Sequence, residues 1–286
     1  MQLTIYKKSK PMKNLTKLSF LLFSISFLAQ SPWTKEKGSF YTQLSFTTIA
    51  NYDALFGDPD YSTERKITDN TFQLYGEYGF SDKTTLIVNL PLKLIKTNEL
   101  VSSESITTNG SKTSLGNIEV GVKHNFYKKG WILSGQFSVE ANTGSFDNAT
   151  GIRTGYDAWS FTPLFLAGRS FKKAYLQTFI GGTFRTNDYS SNFKIGGEYG
   201  GKITKRIWLI GFIDIVKSFK NGDIVLPSTN LVTGLYSNDQ EYGSFGAKAI
   251  YEFNDNFGLN AGFGGAFFGN NVAQQAALTF GLYHKF

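Results

Sequence analysis

The sequence predicts an all-β fold: a closed antiparallel transmembrane β-barrel of about twelve strands, with short periplasmic turns and long external loops. Three observations carry that expectation. Apolar and polar residues alternate with period two along one segment after another, which puts them on opposite faces of a strand. Tight polar turns alternate with longer connections, the two-sided pattern of an outer-membrane barrel. A basic, then apolar leader opens a chain that has no apolar run near the ~20 residues a membrane helix needs.

The segments follow in order. After a first strand over about 38–49, segment 70–80 sets Phe72, Leu74, Tyr78 and Phe80 against Gln73 and Glu77. In 84–97, Leu86, Val88, Leu90, Leu92 and Leu94 face away from Asn89 and Lys93. Segment 114–127 alternates Ile118, Val120, Val122 and Phe126 with Asn117, Glu119, Lys123 and Asn125. Segment 131–142 alternates Trp131, Leu133, Phe137 and Val139 with Ser134, Gln136, Ser138 and Glu140. Strands over 157–169, 174–186, 191–203, 207–219, 242–253 and 257–268 keep the rhythm. The last, 273–286, sets Leu278, Phe280, Leu282 and Phe286 against Thr279, Tyr283 and Lys285. An even count returns both termini to one side, as a closed single-chain barrel requires.

Every second connection is tight: Ser81-Asp82-Lys83, Lys128-Lys129-Gly130, Ser170 to Lys173, Thr204-Lys205-Arg206 and Asn254-Asp255-Asn256. Those between are mostly long, over 50–69, 98–113, 143–156 and 220–241, with shorter ones near 187–190 and 269–272. The alternative fold, a secreted β-sandwich, gives no reason for loop length to sort by parity. Trp131, Trp159 and Trp208 stand at strand ends, where interfacial girdles sit.

Net charge is +7, which invites an anionic partner. Yet Lys7, Lys8, Lys10, Lys13 and Lys17 stand in the first thirty residues with no acid, and the remainder carries 24 basic residues against 22 acidic ones. The charge belongs to a leader: a basic stretch, the apolar Leu18–Leu28, then Ala29-Gln30, the pattern of a signal peptide over residues 1–29. Met12 is the alternative start. The domain expectation is a short periplasmic segment over 30–37, too short for a plug, then an outer-membrane barrel over 38–286. Location is the outer membrane of a Gram-negative bacterium, with no nucleic-acid partner. The absence of cysteine removes disulfides, thiolate metal sites and a cysteine nucleophile.

If the apolar face meets lipid, the lumen receives Glu77, Glu119, Glu140, Glu198, Asp214 and Glu252 against Lys93, Lys123, Arg185, Lys194, Lys202 and Lys248. Signs balance, so no single-sign ring is expected to select ions. Glu119 and Lys123 share a face about 13 Å apart at ~3.3 Å per residue, so ion partners must come from neighbouring strands. Ile207–Val216 is apolar on both faces and places a greasy patch inside, packed on a loop or serving a hydrophobic ligand. Pro91 and Pro163 fall within strands of a wall without edges, so each marks a kink or a missing ladder bond, and one of them opens the wall sideways to lipid in the boldest version.

Catalytic signals are weak. His124 and His284 take the outward parity, and no Ser/His/Asp arrangement, phosphate loop or metal-binding spacing accompanies them. Asp58, Asp60, Asp147, Asp157, Asp188 and Asp239 read as loop turn-formers. No enzyme, cofactor or metal is expected.

Ser114-Leu-Gly-Asn-Ile-Glu-Val-Gly-Val-Lys-His124 resembles the "LGDIxLGLKY" strand of the MetA-pathway phenol-degradation family of outer-membrane proteins. Leu86–Leu92, with Pro91, is similar to the strand before it, and Asn142-Thr143-Gly144, Phe161–Arg169, Tyr175–Thr183 and Ile195–Tyr199 follow in family order, over about 180 residues. His124 stands where that family often has Tyr. The resemblance implies a barrel like the fatty-acid channels, passing hydrophobic small molecules. The terminal strand ending in Phe286 resembles the signal read by the barrel-assembly machinery. The functional expectation is passive uptake of small molecules, hydrophobic ones among them. The alternatives are a closed structural barrel with partner-binding loops, and a lipid-modifying enzyme.

Overall fold

Alternation in the sequence becomes a wall with an apolar outside and a polar inside. The computed structural model describes residues 30–98 and 106–286, so the expected leader, 1–29, lies outside the described residues. The strands are β1 (Phe40–Phe56), β2 (Tyr61–Ser81), β3 (Thr84–Thr97), β4 (Gly110–Leu115), β5 (Ile118–Lys129), β6 (Trp131–Ala141), β7 (Phe146–Asp147) and β8 (Ile152–Arg153). Then come β9 (Ser160–Ser170), β10 (Ala174–Arg185), β11 (Asn192–Lys202), β12 (Ile207–Ser218), one helical turn α1 (Ser228–Leu231), β13 (Glu241–Glu252), β14 (Phe257–Asn270), β15 (Val272–Ala273) and β16 (Ala277–Lys285).

These segments build a closed antiparallel barrel of 12 strands. β4 and β5 are halves of one barrel strand, since both pair with β3. β7 and β8 form a separate hairpin within a loop. β16 pairs with β1 from Tyr41↔Lys285 to Ile49↔Ala277, which closes the sheet without a free edge. Leu44, Leu74, Val120, Phe137, Ile180, Leu209 and Phe280 stand exposed on the outside, while Gln43, Ser45, Asn89, Gln136 and Ser138 are buried within. An apolar surface that encircles a chain in this way is suited to lipid rather than water.

The loop expected over 50–69 is instead strand. β1 and β2 extend past the wall to a turn over 57–60, where the Asp60 carboxylate accepts the Gly57 amide at 3.1 Å. A pairing with register shifts near Tyr52 twists this extended hairpin, and its weak alternation hides it in sequence. Trp208 also departs from expectation. It shares parity with Ile210, Phe212 and Asp214 and points inward, whereas Trp131 and Trp159 are exposed on the outside.

Wall irregularities fall at both prolines. Opposite Pro91 the neighbouring strand breaks: β3 pairs with β5 up to Asn89↔Glu119 and with β4 from Leu92↔Leu115. The Gly116 amide donates to the Pro91 carbonyl at 2.9 Å, and Thr143 from the β6–β9 loop spans the break by accepting from the Ile118 amide and donating to the Gly116 carbonyl. At Pro163 the ladder with β6 holds, but pairing with β10 stops at Gly181↔Leu164 and resumes at Phe184↔Phe161. The Thr162 and Thr183 hydroxyls meet across that gap at 3.0 Å.

The long loops fold over one end. Ile152 and Leu235 pack with Ile49, Tyr52, Ile67, Ile95 and Ala277 into a small core against the inner wall. Arg153 donates to the Asn230 side chain at 2.6 Å and Thr233 to the Gly151 carbonyl at 2.9 Å, joining the two longest loops to each other. Burial pushes the Tyr236 phenol in this cap up to about 12.

Candidate functional site: a chain of cavities along the barrel axis

Period two sends every second side chain inward, and buried charges require partners. The Glu77 carboxylate takes Lys123 at 2.9 Å, Lys35 at 3.0 Å and the Tyr75 hydroxyl at 2.9 Å. Asp69 accepts from Lys93 at 2.9 Å. Glu198 accepts from Lys248 and from the Tyr175 hydroxyl, both at 2.7 Å. Glu252 accepts from Lys202 at 2.6 Å and from the Trp208 indole at 3.2 Å. Glu140 accepts from the Asn117 amide at 3.0 Å, and Arg185 stacks on Tyr156 at 4.1 Å while donating to the Ser190 carbonyl. Glu119, Lys194 and Asp214 face the lumen without an ion pair among the described residues.

Among the described residues, three neighbouring cavities line the lumen. The one beneath the loop cap, about 300 Å³, is lined by Asp69, Lys93, Glu119, Glu140, Arg185, Lys194, Asp214 and the loop tyrosines Tyr156 and Tyr236. The one at the short-turn end, about 240 Å³, is aromatic: Tyr41, Tyr175, Trp208, Phe212 and Tyr283 surround Lys248, Glu252 and Lys285. Between them lies a neck of about 20 Å³ formed by Gln30, Gln177, Phe179, Gly197, Glu198, Phe212 and Asp214. Phe212 belongs to the neck and to the aromatic cavity, while Gln30, Phe179 and Asp214 belong to the neck and to the upper cavity. The three spaces therefore follow one another along the axis. The greasy patch expected from Ile207–Val216 is the inward row Trp208, Ile210 and Phe212.

The segment 30–37, expected as a short periplasmic segment, lies against the inner wall. The Pro32 carbonyl accepts from Ser134 at 2.6 Å, and Trp33 meets Tyr175 edge-on at 5.8 Å. The Lys35 amide donates to Thr85 at 2.7 Å. Gly168 makes room for this strap, since a Cβ there would stand 2.6 Å from the Pro32 Cγ and 2.9 Å from the Trp33 Cη2. Eight residues are too few for a domain, but they reach far enough to put Gln30 in the neck.

Phe179 and Gln30 are not among the expected lumen residues. Parity with Tyr175 and Gln177 marks Phe179 as inward. Nothing in the sequence marks Gln30, because an irregular strap carries no period. His124 meets the Thr84 hydroxyl at 2.9 Å on the outer face, and His284 stacks edge-on against Phe286 at 4.0 Å. Among the described residues no group of His, Cys, Asp and Glu is placed to hold a metal ion.

No family model matches the chain, and no curated protein matches it. Among solved structures it is similar to the COG4313 outer membrane channel from Pseudomonas putida F1, with TM-score 0.65 and 13% identity, covering 89% of this chain and 98% of that one. It is also similar to the KdgM porin, with TM-score 0.52 and 9% identity over 87% of this chain and 99% of that one. The translocator domain of the autotransporter NalP from Neisseria meningitidis is similar at TM-score 0.53 and 12% identity, over 88% and 90%. At these identities the likeness is one of fold: the chain has the architecture of outer-membrane β-barrels.

Proposed function

We propose that the chain is an outer-membrane channel through which small molecules, hydrophobic ones among them, diffuse passively. The observation that carries this reading is the succession of cavities sharing Phe212 on one side of the neck and Gln30, Phe179 and Asp214 on the other. An aromatic chamber at the short-turn end takes an apolar solute, and a polar chamber follows it. Passage is axial in this reading, because Thr143 spans the wall break opposite Pro91. The similarity to a channel and a porin supports the reading, as does the resemblance of Ser114–His124 to the MetA-pathway family. Location in the outer membrane of a Gram-negative bacterium, removal of 1–29, and assembly through the strand ending at Phe286 belong to the same proposal.

One observation favours a second reading, a closed structural barrel: the loop cap buries Ile152 and Leu235 over the lumen's far end. Flux of one polar and one apolar small solute into liposomes holding the purified protein separates the two. Entry of either supports the channel. Exclusion of both, with the protein inserted and folded, supports the closed barrel.

A further inference from the structure

Exposed charge is sorted between the two ends of the barrel. Three tight turns stand side by side on one rim, because β5–β6, β9–β10 and β11–β12 are neighbouring hairpins in the sheet order. The first carries Lys128 and Lys129, the second Arg169, Lys172 and Lys173, the third Lys205 and Arg206. No acid stands between Phe126 and Ile132, between Gly168 and Ala174, or between Ile203 and Ile207. The rest of that rim is mixed, with Asp82 beside Lys83 and Asp255 between Asn254 and Asn256. At the other end the described connections turn acidic: Asp58, Asp60, Asp157, Asp188, Asp223 and Asp239 stand there against Arg153 and Lys220.

The basic arc has no partner within the chain. Every one of its basic residues is exposed, and none of their side chains makes a hydrogen bond or an ion pair among the described residues. The arc also lies where the apolar wall ends, since Trp131, Phe171, Ile203 and Leu209 are exposed there on the outside. Arg169 shares the outward parity of Phe165, and its guanidinium lies 5.9 Å from the Trp131 ring centre and 5.4 Å from that of Phe171. Aromatic girdles mark the level of lipid headgroups, so these bases stand at that level. Two rings beside a guanidinium orient its planar donor fork, the shape that meets a phosphate with paired hydrogen bonds.

We propose that this arc is a binding site for the phosphates of anionic phospholipids, in the leaflet on the short-turn side. A soluble anion needs no girdle. A lipid phosphate arrives at the level of Trp131 and Phe171, with its acyl chains against the exposed wall. Each Lys or Arg beside an anionic surface strengthens attraction about fivefold, and three adjoining turns pool several of them. The lumen takes no part, so the site goes beyond the channel reading and serves a closed barrel equally.

Native mass spectrometry of the folded protein in a neutral detergent tests it, with phosphatidylglycerol, phosphatidylcholine and inorganic phosphate as probes. The wild type is expected to bind phosphatidylglycerol at least about tenfold more tightly than phosphatidylcholine, and Arg169→Gln with Lys172→Gln and Lys173→Gln to remove that preference. Lys205→Gln with Arg206→Gln is expected to lower it less, and keeps the site testable should the first variant fail to fold. Lys112→Gln with Lys220→Gln, at the loop end, is expected to leave it unchanged. A wild type without preference overturns the site, as does a preference unmoved by both rim variants or lost equally in the loop-end variant. Displacement of the lipid by inorganic phosphate at matched concentration overturns the assignment to lipid. Solute flux through the lumen is indifferent to all of these results, so the channel reading stands or falls apart from them.

Discussion

Glu77 shows how a charge is kept inside a wall. It meets two ammonium groups and a phenol, and one of those ammonium groups, on Lys123, is fully buried. Removing one partner of such a pair leaves the other uncompensated. Glu77→Gln is therefore expected to destabilise the barrel by about 3–5 kcal/mol, whereas Glu77→Leu with Lys123→Met recovers most of the loss. Urea unfolding in detergent checks it, and a double variant no better than the single one defeats the pairing argument. Asp147 shows the opposite setting, out in the loops. The amides of Thr150 and Ala149 donate to its carboxylate at 3.1 and 2.9 Å, and the Thr150 bond leads in holding its pKa below that of an ordinary aspartate. The turn thus gains stability above the free aspartate's pKa and loses it as pH falls through the lowered value. A carboxyl titration by NMR should find its midpoint below that of a free aspartate, and a midpoint at or above it defeats the assignment. The residue types inside the lumen were legible, since parity names them. Partners were not: Glu77 and Lys123 meet across β3, a relation that only strand order reveals.

Strands were legible and the strap was not. β3, β6, β10 and β12 lie close to their expected bounds because a lipid-facing wall forces strict alternation. The segment 30–37 has no such constraint, and its path is set by Pro32 and Trp33 fitting over Gly168. Gly168→Val is expected to expel the strap, take Gln30 out of the neck, and raise conductance while exposing the segment to protease. Unchanged conductance together with protection from cleavage counts against a strap that narrows the path. The prolines were legible as irregularities but not as closures, since Thr143 arrives from a loop far along the chain. Amide exchange at Gly116 and Asn117 is expected to outpace the rungs on either side. Uniform protection from Leu115 to Glu119 would mean that the break carries no local weakness.

At the scale of the molecule, the fold depends on a seam between its two ends. β16 pairs with β14 on one side and with β1 on the other, so Phe280 lies opposite both Ala261 and Phe46. The closure was foreseeable from an even number of strands, while the cap made by the long loops was not, because loops pack by shape and carry no period. Once closed, the sheet has no edge from which to fray, so the barrel should keep its compact form in detergent until heated. Unheated protein is then expected to migrate on a gel apart from boiled protein. Phe280→Ala loses only an outward ring and should keep that behaviour. Phe280→Pro removes an amide from the seam and with it a ladder hydrogen bond, a loss expected to abolish the separate band if closure holds the fold together. A persisting band in the proline variant would show that the barrel survives an imperfect seam, and the stability of the wall would then have to be sought in its lipid-facing surface.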